Sequence, residues 1–332
     1  RFDDTHVLYG KLRPYLNKVA LPEFPGRCTT EIIPLRPTDL ADRSYLGLLL
    51  RSPAVLERAM QGNNGSRMPR ADLDLLLSLE IPLPDLPTQR RIASRLKEQL
   101  DEIEQARQIV EEQERGLRVL KERQVELAFE SAGAVSVPLG SVAQKIGSGV
   151  TPRGGQSAYQ SEGVPLIRSQ NVHMNRFEEK GLAFITQNQD ALMKETRVIP
   201  GDILLNITGA SIGRVCQVPK ELCPANVNQH VCIIRANGAF DSRYLSFWLS
   251  RKSFQKRLHS EQSGATRQAL TKGMVEAFEI PMPTMEHQKW IADKLSGILT
   301  AIDSASGAAR AQLAALQKLP AAFLREAFGG IS

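Results

Sequence analysis

Apolar positions recur in heptad register along two separate stretches of the chain. In residues 88–130 the stripe runs through Ile92, Leu96, Ile103, Ala106, Val110, Leu117, Leu120 and Leu127, with Gln99, Gln113 and Gln124 interrupting it. No proline falls between Pro87 and Pro138, and Thr88 is a good N-cap, so the periodicity predicts one long helix. Roughly 40 residues at about 1.5 Å each give a span near 60 Å. In residues 286–332 the stripe is Ile291, Leu295, Ile298, Ile302, Ala305, Ala309, Leu316, Leu319 and Phe323, with Pro320 expected to kink the helix near its end. Such a seam must lie against another helix. The two stretches carry matching seams, so they are expected to pair with each other. An antiparallel pairing would put the remaining globular stretches at opposite ends, facing opposite ways.

Those stretches read as mixed α/β. In residues 1–87, Val7-Leu8-Tyr9 and Glu31-Ile32-Ile33-Pro34-Leu35 predict short strands, and Ser44 to Met60 predicts a helix through Tyr45, Leu48, Leu49, Val55 and Leu56. Gly62 to Ser66 reads as a loop, and Pro82, Pro84 and Pro87 end the domain. In residues 131–285, Gly201-Asp202 turns into a strand at Ile203-Leu204-Leu205, and Val231 to Ile234 is another strand. The expected fold class is α+β: two mixed α/β domains, 1–87 and 131–285, joined by the two long helices paired as an antiparallel coiled coil.

The chain also repeats itself. Residues 42–129 return as 241–328 at a constant offset of 199, with Tyr45-Leu46 as Tyr244-Leu245, Ile81-Pro82 as Ile280-Pro281, Gln89 as Gln288 and Ile92-Ala93 as Ile291-Ala292. Upstream, residues 6–19 align with 202–215 at an offset of 196. A period this long marks a duplicated domain rather than a solenoid, and a duplicated domain suggests a duplicated target. The second copy has about 65 residues before Asp202 and the first only five before His6, and the chain opens on Arg1 rather than Met. The first domain is therefore expected to be N-terminally partial: completed by self-association with another chain, or truncated.

At 332 residues, two or more domains are expected, and 42% hydrophobic with 23% charged residues is ordinary for a soluble globular protein. No apolar run reaches the length of a membrane span. Cys28, Cys216, Cys223 and Cys232 show no disulfide framework, so reduced thiols and a cytoplasmic location are the default. The net charge of +6 is unevenly placed: residues 137–285 hold 17 basic against 11 acidic side chains, whereas the other segments nearly balance. That surplus fits a polyanionic partner, with solubility as the plain alternative.

The motifs and their order resemble the specificity subunits of type I restriction-modification systems. Gly201-Asp202-Ile203-Leu204 with Gly209 and Gly213, and Leu12-Arg13-Pro14-Tyr15-Leu16-Asn17-Lys18-Val19, look like two versions of a strand segment in their target-recognition domains. Ser263-Gly264-Ala265-Thr266-Arg267, then Ile280-Pro281-Met282-Pro283 and Gln288, resemble the end of such a domain. Val137-Pro138-Leu139-Gly140 with Gly147 to Pro152 resembles the start of one. The resemblance implies two target-recognition domains, each reading half of a bipartite double-stranded DNA site. It also implies a helix pair that sets the spacer, docked methyltransferase (modification) subunits, a restriction subunit, and no catalytic step or cofactor in this chain.

Motifs for chemistry point the same way. There is no Walker loop, and Gly147-Ser148-Gly149 lacks the third glycine of a dinucleotide loop. Asn206-Ile207-Thr208-Gly209 lacks the tail of an amino-methyltransferase loop. Cys216, Cys223, His230 and Cys232 lack metal-ligand spacing, so no metal is expected. Candidate DNA contacts are basic and amide residues in loops that repeat in position but differ in identity. They are Lys11, Arg13, Lys18, Arg67 and Arg70 in the first domain, and Arg153, Arg168, Gln170, Asn171, Arg214, Arg267, Gln268 and Lys272 in the second. A solvated surface role competes for each residue taken alone. A structural adaptor that has lost DNA reading is the alternative function.

Overall fold

A computed structural model describes residues 1–61, 68–130, 134–262 and 269–329. The chain folds as two compact units, Arg1–Arg115 with Ser306–Ser332, and Gly116–Ala305. The first unit opens with an antiparallel sheet in which β1 (Val7–Gly10) lies between β2 (Val19–Ala20) and β3 (Ile32–Leu35). Val7 and Tyr9 share one face by the two-residue period of a strand, and opposite them pair Leu35 and Ile33. That face is buried against Tyr45, Leu49 and Val55.

The helix expected over Ser44 to Met60 is two helices, α1 (Arg43–Leu49) and α2 (Pro53–Met60). The break has a plain cause: Pro53 has no N–H for the preceding turn and its ring collides with it, so it can only begin a helix. Ser52 caps α2 by accepting from the Val55 N–H. After α3 (Leu73–Leu77), the first long helix α4 (Leu86–Leu127) starts ahead of Thr88, because Pro87 is tolerated in a first turn where its missing N–H has no partner anyway.

The second unit starts with β4 (Ser136–Pro138), α5 (Leu139–Val142), β5 (Ala143–Ser148) and β6 (Val164–Ile167). It continues through β7 (Val172–His173), β8 (Arg176–Phe177), β9 (Ala183–Ile185), α6 (Gln187–Leu192) and β10 (Arg197–Val198). Then come β11 (Ile203–Asn206), β12 (Val215–Gln217), β13 (Ala225–Val227) and β14 (Val231–Ala236). Last are α7 (Ser242–Ser250), α8 (Lys252–Gln262), α9 (Lys272–Glu276) and β15 (Glu279–Pro281). Two four-stranded sheets form, in the orders β12-β11-β14-β5 and β10-β13-β6-β9. Strand β11 is apolar on both faces because both are covered. Ile203 and Leu205 join the core built with α7, and Leu204 joins a second core with Val198 and Val227. Each fully buried aliphatic contributes about 1.5–3 kcal/mol of burial free energy.

The order β2-β1-β3 in the first unit is the order β12-β11-β14 in the second, at the offsets read from the sequence. The first unit has no counterpart of β5 or of the second sheet among its described residues. The recurrence reaches individual bonds. Asp42 and Asp241 cap α1 and α7. The Tyr45 hydroxyl donates to the Pro82 carbonyl at 2.7 Å, and that of Tyr244 to the Pro281 carbonyl at 2.8 Å. The buried amides of Gln89 and Gln288 accept from the Asp42 and Asp241 N–H groups and donate to the Pro84 and Pro283 carbonyls.

The second long helix is α10 (Met285–Leu316), followed by a separate α11 (Leu319–Phe328) with Pro320 in its first turn. Pro320 thus breaks the helix rather than kinking it. In the first unit Ala93 and Leu96 of α4 share a core with Leu324 and Phe328, while Glu114 pairs with Arg310 at 2.8 Å. In the second unit Val125 shares a core with Ile291 and Leu295, while Lys121 pairs with Asp303 at 2.6 Å. In each unit the helices therefore run antiparallel. Leu96, Ile103, Val110, Ile291, Leu295 and Ile302 are buried, and Ile92, Leu117 and Leu316 are partly buried. Leu120 and Leu319 do not belong to the seam: they are 41% and 37% exposed. Beyond Val110 the inward stripe steps through Glu114, Leu117, Lys121 and Val125, which leaves Leu120 and Leu127 outside it. The break at Pro320 resets the phase, so Leu324 and Phe328 turn inward and Leu319 does not.

Each unit is closed by an aromatic from the other copy of the repeat. Phe328 packs edge-on against Tyr45 with ring centroids 5.3 Å apart, and Phe129 packs against Tyr244 at 5.2 Å. At the offset of 199, Phe129 is the counterpart of Phe328 and Tyr45 of Tyr244, so the partners are exchanged.

Candidate nucleic-acid interface

In both units the segment after the central strand turns back and is stitched to the stretch that follows the glycine-marked loop. In the first unit Leu12 bridges Arg70, the Ala71 N–H donates to the Lys11 carbonyl at 2.8 Å, and the Lys11 N–H donates to the Glu31 carbonyl at 3.0 Å. In the second, Thr208 bridges Ala269, the Leu270 N–H donates to the Ile207 carbonyl at 2.8 Å, and the Ile207 N–H donates to the His230 carbonyl at 3.0 Å. The backbone also agrees in its unusual dihedrals. Gly209 and Gly213 are left-handed, with φ of 67° and 85°. Their counterparts Arg13 and Asn17 are left-handed too, with φ of 54° and 46°. Glycine adopts this region freely, whereas for arginine it costs on the order of 1–3 kcal/mol. The first unit keeps the turn and accepts that strain to place Arg13 on it.

On this frame the first unit gathers Lys11, Arg13, Lys18, Glu31 and Arg70. Arg70 clasps the Glu31 carboxylate with Nη2 at 2.9 Å and Nε at 3.1 and 3.2 Å. The Arg70 hydrogen bonds, reinforced by the charges of Arg70, Lys11 and Lys18, hold the Glu31 carboxyl below the usual range. Arg13 and Lys18 are exposed beside the outward-facing Tyr15 and Leu16. Arg67 lies outside the described residues, as do Arg267 and Gln268.

In the second unit Ser169, Gln170, Thr208, Gly209, Ser211, Arg214 and His230 line an open recess of about 440 Å³. Gln170 donates to the Gly181 carbonyl at 2.9 Å. The guanidinium of the half-buried Arg214 has no carboxylate partner among the described residues. His230 is held at both ring nitrogens: the Thr208 hydroxyl lies 2.7 Å from Nδ1 and the Gln229 amide nitrogen 2.9 Å from Nε2. Gln229 itself is exposed.

Among the other candidates, Asn171 and Arg168 bond within the fold. Asn171 is buried, accepting from the Arg168 N–H and donating to the Glu178 carbonyl, so its amide locks a turn instead of facing outward. Arg168 stacks over Tyr159 and donates to the Gly181 carbonyl. Lys272 stands in the first turn of α9, 3.5 Å from Glu276. Arg153 is exposed, away from the recess. Thr208 and His230 are weighed in the sequence only for methyltransferase and metal chemistry, and Gln229 is not singled out. The signal was present: at the two offsets they align with Leu12, Thr30 and Glu31, a change of chemistry on a shared frame.

The thiols of Cys216 and Cys232 sit in strands, where burial pushes them up to about 12 and about 11. No described helix is long and apolar enough to cross a membrane.

A family model described as the type I restriction modification DNA specificity domain matches residues 13–112 and 133–313. Among curated proteins, the type I restriction enzyme StySPI specificity subunit of Salmonella potsdam is 25% identical over 177 residues, 52% of this chain and 37% of its own length. The EcoKI specificity subunit of Escherichia coli K12 gives the same identity and coverage. The chain thus spans little more than a third of the length of these relatives. The MjaVIII specificity subunit of Methanocaldococcus jannaschii is 23% identical over 70% of this chain and 58% of its own. Two solved structures share the fold. A chain from a study of complex assembly and conformational transition of the type I R-M system superposes with a TM-score of 0.80 at 23% identity, over 98% of this chain and 82% of that one. The HsdS subunit from Thermoanaerobacter tengcongensis gives 0.62 at 22% identity, over 99% and 81%.

Proposed function

The chain belongs to the family of type I restriction modification DNA specificity domains, and on that footing we propose that it is a non-catalytic specificity subunit whose two units each read one half of a bipartite double-stranded DNA site. The observation that carries this reading is the recurrence of one backbone frame in both units with different side chains on it: Leu12, Arg13 and Glu31 in one, Thr208, Gly209 and His230 in the other. A repeated scaffold with changed outward residues is what two readers of unlike sequences need. Phosphate contacts from Arg13, Lys18 and Arg214 fix position, and a few base-edge contacts discriminate. The helix pair sets the spacer between the half-sites and docks the methyltransferase subunits, which a restriction subunit then joins.

The test is a selection from random double-stranded DNA with the chain in complex with its methyltransferase. Recovered sites should show two defined halves around an indifferent spacer, and log affinity should fall linearly with log salt concentration. Recovery of no defined sequence, with partner binding intact, would leave a structural adaptor as the better account.

A further inference from the structure

On the shared frame the two units carry different side chains at equivalent places. Position 31 and position 230 are equivalent: each carbonyl accepts from the residue that begins the bridged turn, at 3.0 Å in both units. What they present is unlike. In the first unit Glu31 is fixed by Arg70, the counterpart of Ala269. In the second, Thr208, His230 and Gln229 form a row in which the imidazole is bound at both nitrogens and so cannot rotate. The His230 N–H adds a third restraint, donating to the Asn228 side chain at 3.1 Å. The row ends at an exposed amide beside the recess that holds Arg214. With one amide N–H bound to the ring, Gln229 keeps a carbonyl and a second N–H, the pair that matches an adenine edge. Glu31 keeps acceptor capacity suited to the cytosine amino group.

We propose that Gln229, oriented by His230 and Thr208, is a base-reading residue for one half of the DNA site, and that Glu31, which stands at the position of His230 and is locked by Arg70, reads the other half. This rests on the DNA-reading function proposed above. His230, Thr208 and Arg70 are positioning residues: they act by fixing the reader ahead of contact, so that less side-chain freedom is lost on binding.

The experiment is methylome mapping of a host carrying the full chain and its methyltransferase, with the wild type, Gln229→Ala, Glu31→Gln and His230→Phe. Gln229 is exposed, and Glu31→Gln keeps the shape, so both variants should fold, checked by thermal melting. Gln229→Ala is expected to relax base preference about 10- to 100-fold at one or two positions of a single half-site and leave the other half unchanged. Glu31→Gln should relax the opposite half. His230→Phe should relax the same positions as Gln229→Ala and leave the other half-site unchanged, which general destabilisation would not produce. An unchanged motif in Gln229→Ala and Glu31→Gln, or both halves altered by either one, overturns this inference and leaves DNA reading standing. Absence of a bipartite motif in the wild type overturns the proposed function and this inference with it.

Discussion

Truncating Phe328 should loosen the N-terminal part of the chain, and truncating Phe129 should loosen the C-terminal copy. Phe328 is almost fully buried, set edge-on against Tyr45 in a core that also holds Val7, Tyr9 and Val55. Removing a core phenylalanine costs about 3–5 kcal/mol, of which the ring pair itself accounts for about 0.5–1.5 kcal/mol. At about 1.4 kcal/mol per factor of ten, amides that exchange by opening of that core should exchange roughly a hundredfold to a few thousandfold faster. The assay is hydrogen exchange read by mass spectrometry. For Phe328→Ala the loss of protection should appear in β1, α1 and α2; for Phe129→Ala it should appear in α7 and β14, around Tyr244 and the Arg251 guanidinium that lies over the Phe129 ring. The control is Tyr45→Phe, which removes only the bond to the Pro82 carbonyl and should cost about 1–3 kcal/mol. If Phe328→Ala leaves α1 protected and instead exposes α7, the exchanged pairing of the two repeat copies is wrong.

Two further outcomes follow from buried polar groups. Arg235→Met strands the fully buried Asp202 carboxylate, which Arg235 holds at 2.7 and 2.8 Å, and should cost about 3–5 kcal/mol in denaturant unfolding, whereas the double change Asp202→Leu with Arg235→Met should recover most of it; equal losses would refute the pairing as the cause. The thiols of Cys216 and Cys232 have folded pKa values above the unfolded one, so the folded state keeps protons that the unfolded state loses. Stability is fully present below about 9 and should fall as pH rises through about 11 and then about 12, with no alkylation of either thiol in native protein at pH 8; rapid native labelling would contradict their burial.

Much of this architecture was legible in the residues. The offset of 199 marks equivalent bonds down to the tyrosine hydroxyls, because a repeat fixes the same local solutions twice. Heptad spacing located the long helices, but spacing alone does not say which apolar residues turn inward. Leu120 lies on the expected stripe and faces out, while Val125 and Phe129 do the packing, because a helix of 3.6 residues per turn drifts off a strict seven-residue repeat. The apolar period runs straight across Pro53, so it hides the break that the proline makes between α1 and α2. The interface was least legible. Arginines and amides in loops stand out by type, yet Asn171 and Arg168 bond to the carbonyls of Glu178 and Gly181, and that depends on how the chain turns back, which residue type alone does not show. Gln229 and His230 gave no local signal; only their alignment with Thr30 and Glu31 marks them.

The swapped aromatic closure also bears on how the chain is made. Tyr45 leaves the ribosome well before the ring that covers it, Phe328, which is translated only after everything between them. At roughly 5–20 residues per second, the side of Tyr45 that Phe328 covers waits tens of seconds uncovered. The second copy, by contrast, finds Phe129 already synthesised when Tyr244 emerges. Biogenesis should therefore run backwards along these two copies, the later one maturing first, with the earlier one depending on chaperones until α11 arrives.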